Sequence, residues 1–274
     1  MLEIPESLTL AKQMNQKFRD RKIVDVEAAH TKHSFAWYTG EPDFYAQIMT
    51  GCVVGESAGI GSMLEISLGE YSFVVGDGTN LRCVPPGEKL PERYQTRLTL
   101  DDGSSLVCTV QMYGSMFLIK PREYDNPYYL AAKEKPLPGT EDFDYEYFRK
   151  LRTELSGTVS MKAFLATQQR IPGLGNGVLQ DILLRAGMHP KKKIGTLTES
   201  RWKELYEALT GTLSQMTDAG GRDTEKDLFG EKGRYVTLLS KRTVGKPCPF
   251  CGSMIQKANY LGGTVYFCPS CQEL

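Results

Sequence analysis

Histidine and tryptophan are scarce in these 274 residues, at three and two, and net charge is absent, with 33 Lys and Arg balancing 33 Asp and Glu. No apolar run approaches the ~20 residues needed to cross a bilayer as a helix. The opening MLEIPESLTLAKQMNQKFRD lacks the continuous apolar core of a secretory signal, so an intracellular chain is expected. Disorder is excluded by composition: 41% hydrophobic, 24% charged and 10% aromatic residues are proportions of a packed protein. The length allows one large domain or two with a small appendage. His30, His33 and His189 are dispersed and read as surface or capping residues rather than as bases.

The zero net charge hides an asymmetry. Residues 1–150 carry 16 basic and 22 acidic side chains, and residues 151–274 carry 17 and 11. A basic second half suggests a nucleic-acid or membrane surface there, although a merely solvated face has the same composition. The seven cysteines divide in the same way. Cys52, Cys83 and Cys108 are scattered and odd in number, as reduced thiols would be, whereas four cluster near the C-terminus.

Apolar positions Leu8, Ala11, Met14 and Phe18, with Pro5 in the first turn, predict a helix over residues 5–19. Short strand-like runs follow at 23–28, 35–38, 62–68, 71–75, 96–100, 105–113 and 116–119, punctuated by turns such as Pro85-Pro86-Gly87 and Asp101-Asp102-Gly103. Such a pattern predicts a sandwich or barrel. Prolines 121, 127, 136 and 138 with Gly139 mark a linker over 121–142. Beyond it Phe143, Tyr147, Leu151 and Leu155, then Trp202, Leu205, Leu209, Leu213 and Met216, recur at helical spacing.

Two motifs carry chemistry. Cys248-Pro-Phe-Cys251 and Cys268-Pro-Ser-Cys271, separated by sixteen residues, can surround one tetrahedral zinc, with a β-hairpin between the pairs turning at Leu261-Gly262-Gly263. A closed four-cysteine site leaves no open position for catalysis, so its role is structural. The second motif is Ile171-Pro172-Gly173-Leu174-Gly175-Asn176-Gly177, opening a helix that Gly187 ends. Amides freed at such a turn suit a phosphate, with Asn176 as a further donor; a tight connection between packed helices uses the same glycines.

Together and in this order, these motifs resemble the formamidopyrimidine-DNA glycosylase and endonuclease VIII family. Met1-Leu2-Glu3 stands where that family opens with Met-Pro-Glu, residues 171–190 resemble its helix-two-turns-helix signature, and residues 245–272 its zinc finger. The resemblance implies a multi-domain β plus α fold: an N-terminal β-sandwich with a leading helix (1–120), a Pro-rich hinge (121–142), a helix-two-turns-helix DNA-binding domain (143–240) and a four-cysteine zinc finger (241–274). It implies a monomer that holds damaged double-stranded DNA in a cleft and acts as a base-excision-repair glycosylase, with or without strand cleavage through a Schiff base.

Carried over by position, Glu3 is the proton-handling carboxylate, Lys162 and Asn176 hold phosphates, Gly175 belongs to the phosphate-binding turn, and Tyr113 is an aromatic wedge. The chain departs from the family at Leu2 for the nucleophilic proline, Ile60 for a lysine, Gly263 for the finger arginine, and Asp77 and Gln111 for void-filling residues. A bulky Leu2 should block removal of the initiator methionine, which would leave the free amine on Met1. Two other readings stay open: a protein of the same fold that recognises damaged or unusual DNA without catalysis, and a zinc-ribbon protein that binds RNA or protein. Arg222 and Arg234 are candidates to supply the phosphate contact that Gly263 does not.

Overall fold

The computed structural model describes residues 2–76 and 78–274. Pro5 and the apolar spacing of the first segment produce α1 (Ile4–Lys17). The β segment that follows comprises β1 (Ile23–Ala28), β2 (Ala36–Tyr38), α2 (Asp43–Met49), β3 (Ser57–Ile60), β4 (Met63–Leu68), β5 (Tyr71–Val75), β6 (Thr79–Val84), β7 (Thr96–Leu100), β8 (Ser105–Val110) and β9 (Gly114–Ile119). These strands form two sheets, ordered β1-β7-β8-β6 and β2-β9-β5-β4-β3. All pairs are antiparallel except β2 with β9. Phe18, Ile23, Leu64, Phe73, Leu98 and Leu106 are fully buried in the core that the sheets share with α1.

The second half contains α3 (Pro127–Glu134), α4 (Tyr145–Lys150), α5 (Met161–Ala166), α6 (Asn176–Arg185) and α7 (Glu199–Asp218), then the finger hairpin β10 (Gln256–Tyr260) and β11 (Gly263–Phe267). Its core joins Phe148, Phe164, Val178, Ile182, Trp202 and Leu205. A smaller cluster ties Leu184 and Leu239 to Ile255 and the finger cysteines 248 and 268.

Most expected elements are present, with three differences that have physical reasons. The Pro-rich segment holds α3, because Pro127 occupies the first turn and Asn126 caps it, accepting from the amides of Tyr128 and Tyr129. Tyr129 Oη then donates to Glu65 at 2.9 Å, and Lys133 pairs with the same carboxylate at 3.0 Å, so the linker is docked on the sheet. Helical pairing after Phe143 stops at Lys150 rather than continuing to Leu155. α2, β3 and β6 carry no clear periodicity and are held by tertiary pairing.

The acidic and basic halves are laced together. Ile4 of α1 lies in the helical core, while Leu228, from the segment between α7 and the finger, is fully buried in the sandwich core. That segment, residues 221–232, forms a strap across the β segment. Leu228 N–H donates to Gln13 Oε1 at 3.0 Å, its carbonyl accepts from Cys83 N–H at 2.7 Å, and Arg82 donates to the carbonyls of Lys226 and Asp227. Leu228→Ala is expected to destabilise the protein by about 2–5 kcal/mol in denaturant unfolding, as a cavity at a fully packed leucine does. Unchanged stability would show that the strap is not part of the core.

Candidate nucleic-acid interface

The glycine motif is built for close approach. Gly173 has φ +79°, and a Cβ there would lie 2.2 Å from the Gly61 carbonyl carbon, so the turn before α6 packs directly on the β3–β4 turn. Ile4 N–H donates to Gly173 O, and Ser7 Oγ donates to Gly61 O at 2.7 Å. Three segments far apart in sequence therefore converge where α1 begins, and Glu3 lies at that point.

Glu3 is buried, and its carboxylate accepts from Gly177 N–H at 2.8 Å and Val178 N–H at 2.7 Å. It caps α6 from another part of the chain, where the helix dipole favours a negative charge. These amides are therefore taken by a carboxylate and are not offered to a phosphate, which corrects the sequence expectation for this turn. Gly175 is required for the same reason: a Cβ there would stand 2.5 Å from Glu3 Oε1.

Arg222 completes the arrangement. Its Nη1 is 3.3 Å from Glu3 Oε2, while its Nε and Nη2 donate to Glu6 at 3.0 and 2.8 Å. All three side chains are buried. Burial raises the Glu3 pKa, and Arg222 opposes that rise. Burial acts to lower the Arg222 pKa, but Glu3 and Glu6 outweigh it and hold the guanidinium charged. Arg222 thus serves two carboxylates rather than a phosphate, overturning its candidacy as a backbone contact; Arg234 is exposed. Leu2 is buried in the sandwich core, and the cavity beside Leu2, Glu6 and Arg82 measures ≈ 10 Å³. Met1 and Asp77 lie outside the described residues.

The expected phosphate-binding residues do meet. Lys162 Nζ donates to Tyr260 O at 2.7 Å, and Asn176 Nδ2 donates to Thr264 O at 2.9 Å, which sets both against the two strands of the finger hairpin. Gly263 lies between them, since a Cβ on it would be 3.3 Å from Lys162 Nζ and 3.8 Å from Asn176 Nδ2. Burial lowers the Lys162 pKa, and Asn176 Oδ1 is buried without a hydrogen-bond partner. An ammonium has three donors, so Lys162 can hold the hairpin and still reach an anion. Gln180, which sequence reasoning passed over, accepts from Tyr266 N–H at 3.0 Å and donates to Thr264 O. Asp181, also missed, is buried and accepts from the amides of Leu238 and Leu239; burial pushes its pKa up to about 6, against those two donations. Gln180 thus holds the finger hairpin, and Asp181 the segment that leads into it.

In the finger, the sulfurs of Cys248, Cys251, Cys268 and Cys271 all lie within 4.8 Å of one another. Cys248 and Cys271 are 3.9 Å apart and Cys251 and Cys268 3.4 Å. Tetrahedral thiolates about 2.3 Å from a zinc ion would be about 3.8 Å apart, so the donor set fits one metal ion.

Tyr113 lies in the β8–β9 connection, where it, Met112 and Gln111 line a groove of ≈ 350 Å³ facing Lys226, Lys232 and Arg242. Ile60 is buried with Val74, Ile119, Tyr129 and Ala132 beneath α3, a core position.

Arg222→Ala is expected to cost about 3–5 kcal/mol in denaturant unfolding, because two buried carboxylates lose their counter-charge. Arg222→Lys should recover part of that loss, retaining the charge without the two-pronged contact to Glu6. Native stability in Arg222→Ala would show that the triad does not hold the strap.

No family model matches the chain. The formamidopyrimidine-DNA glycosylase of Streptococcus pneumoniae is 30% identical over 191 residues, covering 67% of this chain and 68% of that relative. The Lactococcus lactis protein of that name is 26% identical over 279 residues with both chains fully covered, and the Bacillus subtilis one 28% over 283 residues with 99% of each covered. Among solved structures, the Lactococcus lactis Fpg complexed with abasic-site DNA matches at TM-score 0.85 and 25% identity, over 99% of this chain and 100% of that one. The same protein complexed with DNA containing N7-benzyl-Fapy-dG matches equally, at TM-score 0.85 and 25% identity. With the glycine turn, the Glu3 cap and the four-cysteine hairpin assembled along this full-length likeness, the chain belongs to the formamidopyrimidine-DNA glycosylase family.

Proposed function

We propose that this protein binds damaged double-stranded DNA and acts on it as a base-excision-repair DNA glycosylase within the cell. The observation that carries this reading is the convergence of Lys162, Asn176 and the finger hairpin beside Glu3, on a chain that matches a DNA-bound relative over nearly its whole length. In this reading Lys162 and Asn176 hold phosphates, Tyr113 is the wedge, Glu3 handles protons, and the nucleophile is the N-terminal amine of Met1.

Base removal makes two demands on these residues. Glu3 must meet the reacting sugar through the acceptor site that the two α6 amides and Arg222 leave on its carboxylate. A nucleobase must also gain entry; the cavities beside Leu2 and Glu6 measure ≈ 10 Å³, whereas the adjoining groove lined by Asn80, Arg82, Tyr113 and Glu225 measures ≈ 350 Å³. Damage recognition without base release is the second reading, favoured by the burial of Leu2 where the family places its nucleophile.

Duplexes carrying 8-oxoguanine, an oxidised pyrimidine or an abasic site separate these readings. The expected outcome is salt-dependent binding, release of at least one damaged base and an adduct trapped by borohydride. Binding with neither base release nor adduct would leave the second reading, and absence of DNA binding would overturn both.

One zinc ion held by Cys248, Cys251, Cys268 and Cys271 supplies the cross-link that stabilises the finger, for which the hairpin itself has little apolar core. Metal analysis should find one zinc per chain. Chelation should weaken DNA binding by releasing the β10–β11 contacts of Lys162 and Asn176, whereas full affinity in zinc-free protein would contradict this role.

A further inference from the structure

The rim of the β segment bears an aromatic surface that extends past Tyr113 to Trp37 and Phe35, residues to which the proposed site gives no role. Trp37 is 48% exposed and Phe35 57% exposed. In β2, Ala36 and Tyr38 turn toward the sandwich core, and strand alternation sends Trp37 outward between them. The strand is held in place: Trp37 pairs with Ser115 in the parallel β2–β9 ladder, and Phe35 O accepts from Gly114 N–H at 2.9 Å. That pairing brings the Trp37 ring to 6.0 Å from the Tyr113 ring, centroid to centroid, with an interplanar angle of 32°. Met112, beside Tyr113, is 74% exposed.

This apolar rim continues into the groove, whose charged lining is Arg82, Lys226, Lys232 and Arg242, the last paired with Asp223, against one carboxylate, Glu225. A flat aromatic face bordering a cationic groove matches a polyanion with planar apolar groups along its length, and open apolar surface on a chain with large packed cores marks a recognition site. We infer that Trp37 is a stacking site for a nucleobase left without its partner or neighbour, on DNA lying in the adjoining groove. The inference rests on the DNA-binding reading above. A lesion matters because bases of intact duplex are already stacked and offer no free face.

The two tryptophans make the test direct, since Trp202 is buried in the helical core and Trp37 supplies the exposed emission. Full-length protein is titrated with a duplex carrying a reduced abasic-site analogue and with the intact duplex, recording tryptophan emission, iodide quenching and, by anisotropy, affinity. The abasic duplex is expected to quench Trp37 and shield it from iodide. Trp37→Ala should weaken that complex roughly tenfold and Trp37→Tyr much less, the size expected for one stacked base. Trp37 lies at the surface, and unchanged thermal unfolding of both variants confirms that they fold.

Unchanged emission with full affinity in Trp37→Ala would overturn the inference while leaving DNA binding intact. Equal quenching by the intact duplex would overturn the assignment to an unstacked base. Shielding that grows with protein concentration in the absence of DNA would identify a second copy of the chain as the occupant and overturn it too. Failure to bind either duplex would remove both this inference and the reading beneath it.

Discussion

The buried guanidinium of Arg222 is the interaction on which the geometry of the cleft depends. A charge removed from water must stay paired, and its partners Glu3 and Glu6 lie on the first turn of α1 and the residue before it. Glu3 in turn satisfies the first amides of α6, so one cation connects the strap, the leading helix and α6. Moving any one of the three exposes unpaired charge or unpaired amides. Gly175 and Gly177 follow from this, because side chains there would occupy the space of Glu3 and Arg222.

The same packing explains why opposite charge imbalances do not make two independent halves. Ile4 and Leu228 each lie in the other half's core, so α1 and the strap belong to both. Basic residues from the second half then face the β8–β9 loop across the groove, where Lys226, Lys232 and Arg242 oppose Gln111, Met112 and Tyr113. The cationic surface is thus completed by aromatic and polar residues of the acidic half.

Much of this was legible beforehand where local signals were strong. The strands at 23–28, 71–75 and 96–100 begin and end at the expected residues, since alternation and turn residues agree there. The four cysteines were readable because metal-ligand spacing is itself a local constraint. Lys162 and Asn176 were identified by resemblance, and they meet at the hairpin. The roles of Gln180 and Asp181 were hidden, because a polar residue in an amphipathic helix looks solvated until its partners, 57 to 86 residues away, are known. Arg222 misled for the same reason: an arginine near the end of the helical half, in a chain without the finger arginine, suggests a phosphate contact, and only burial beside two carboxylates shows otherwise.

By itself, the amino-acid sequence determined the leading helix, the strands at 23–28, 71–75 and 96–100, the two close cysteine pairs and the glycine turn, each set by neighbours within a few residues. Tertiary structure alone decided that Glu3 caps α6, that Arg222 is consumed by two carboxylates, that Leu2 is sealed in a core and that Trp37 faces open water beside Tyr113. Those outcomes depend on which distant groups come together as water is excluded, and the strength and availability of a charge depend on that exclusion more than on its position in the chain.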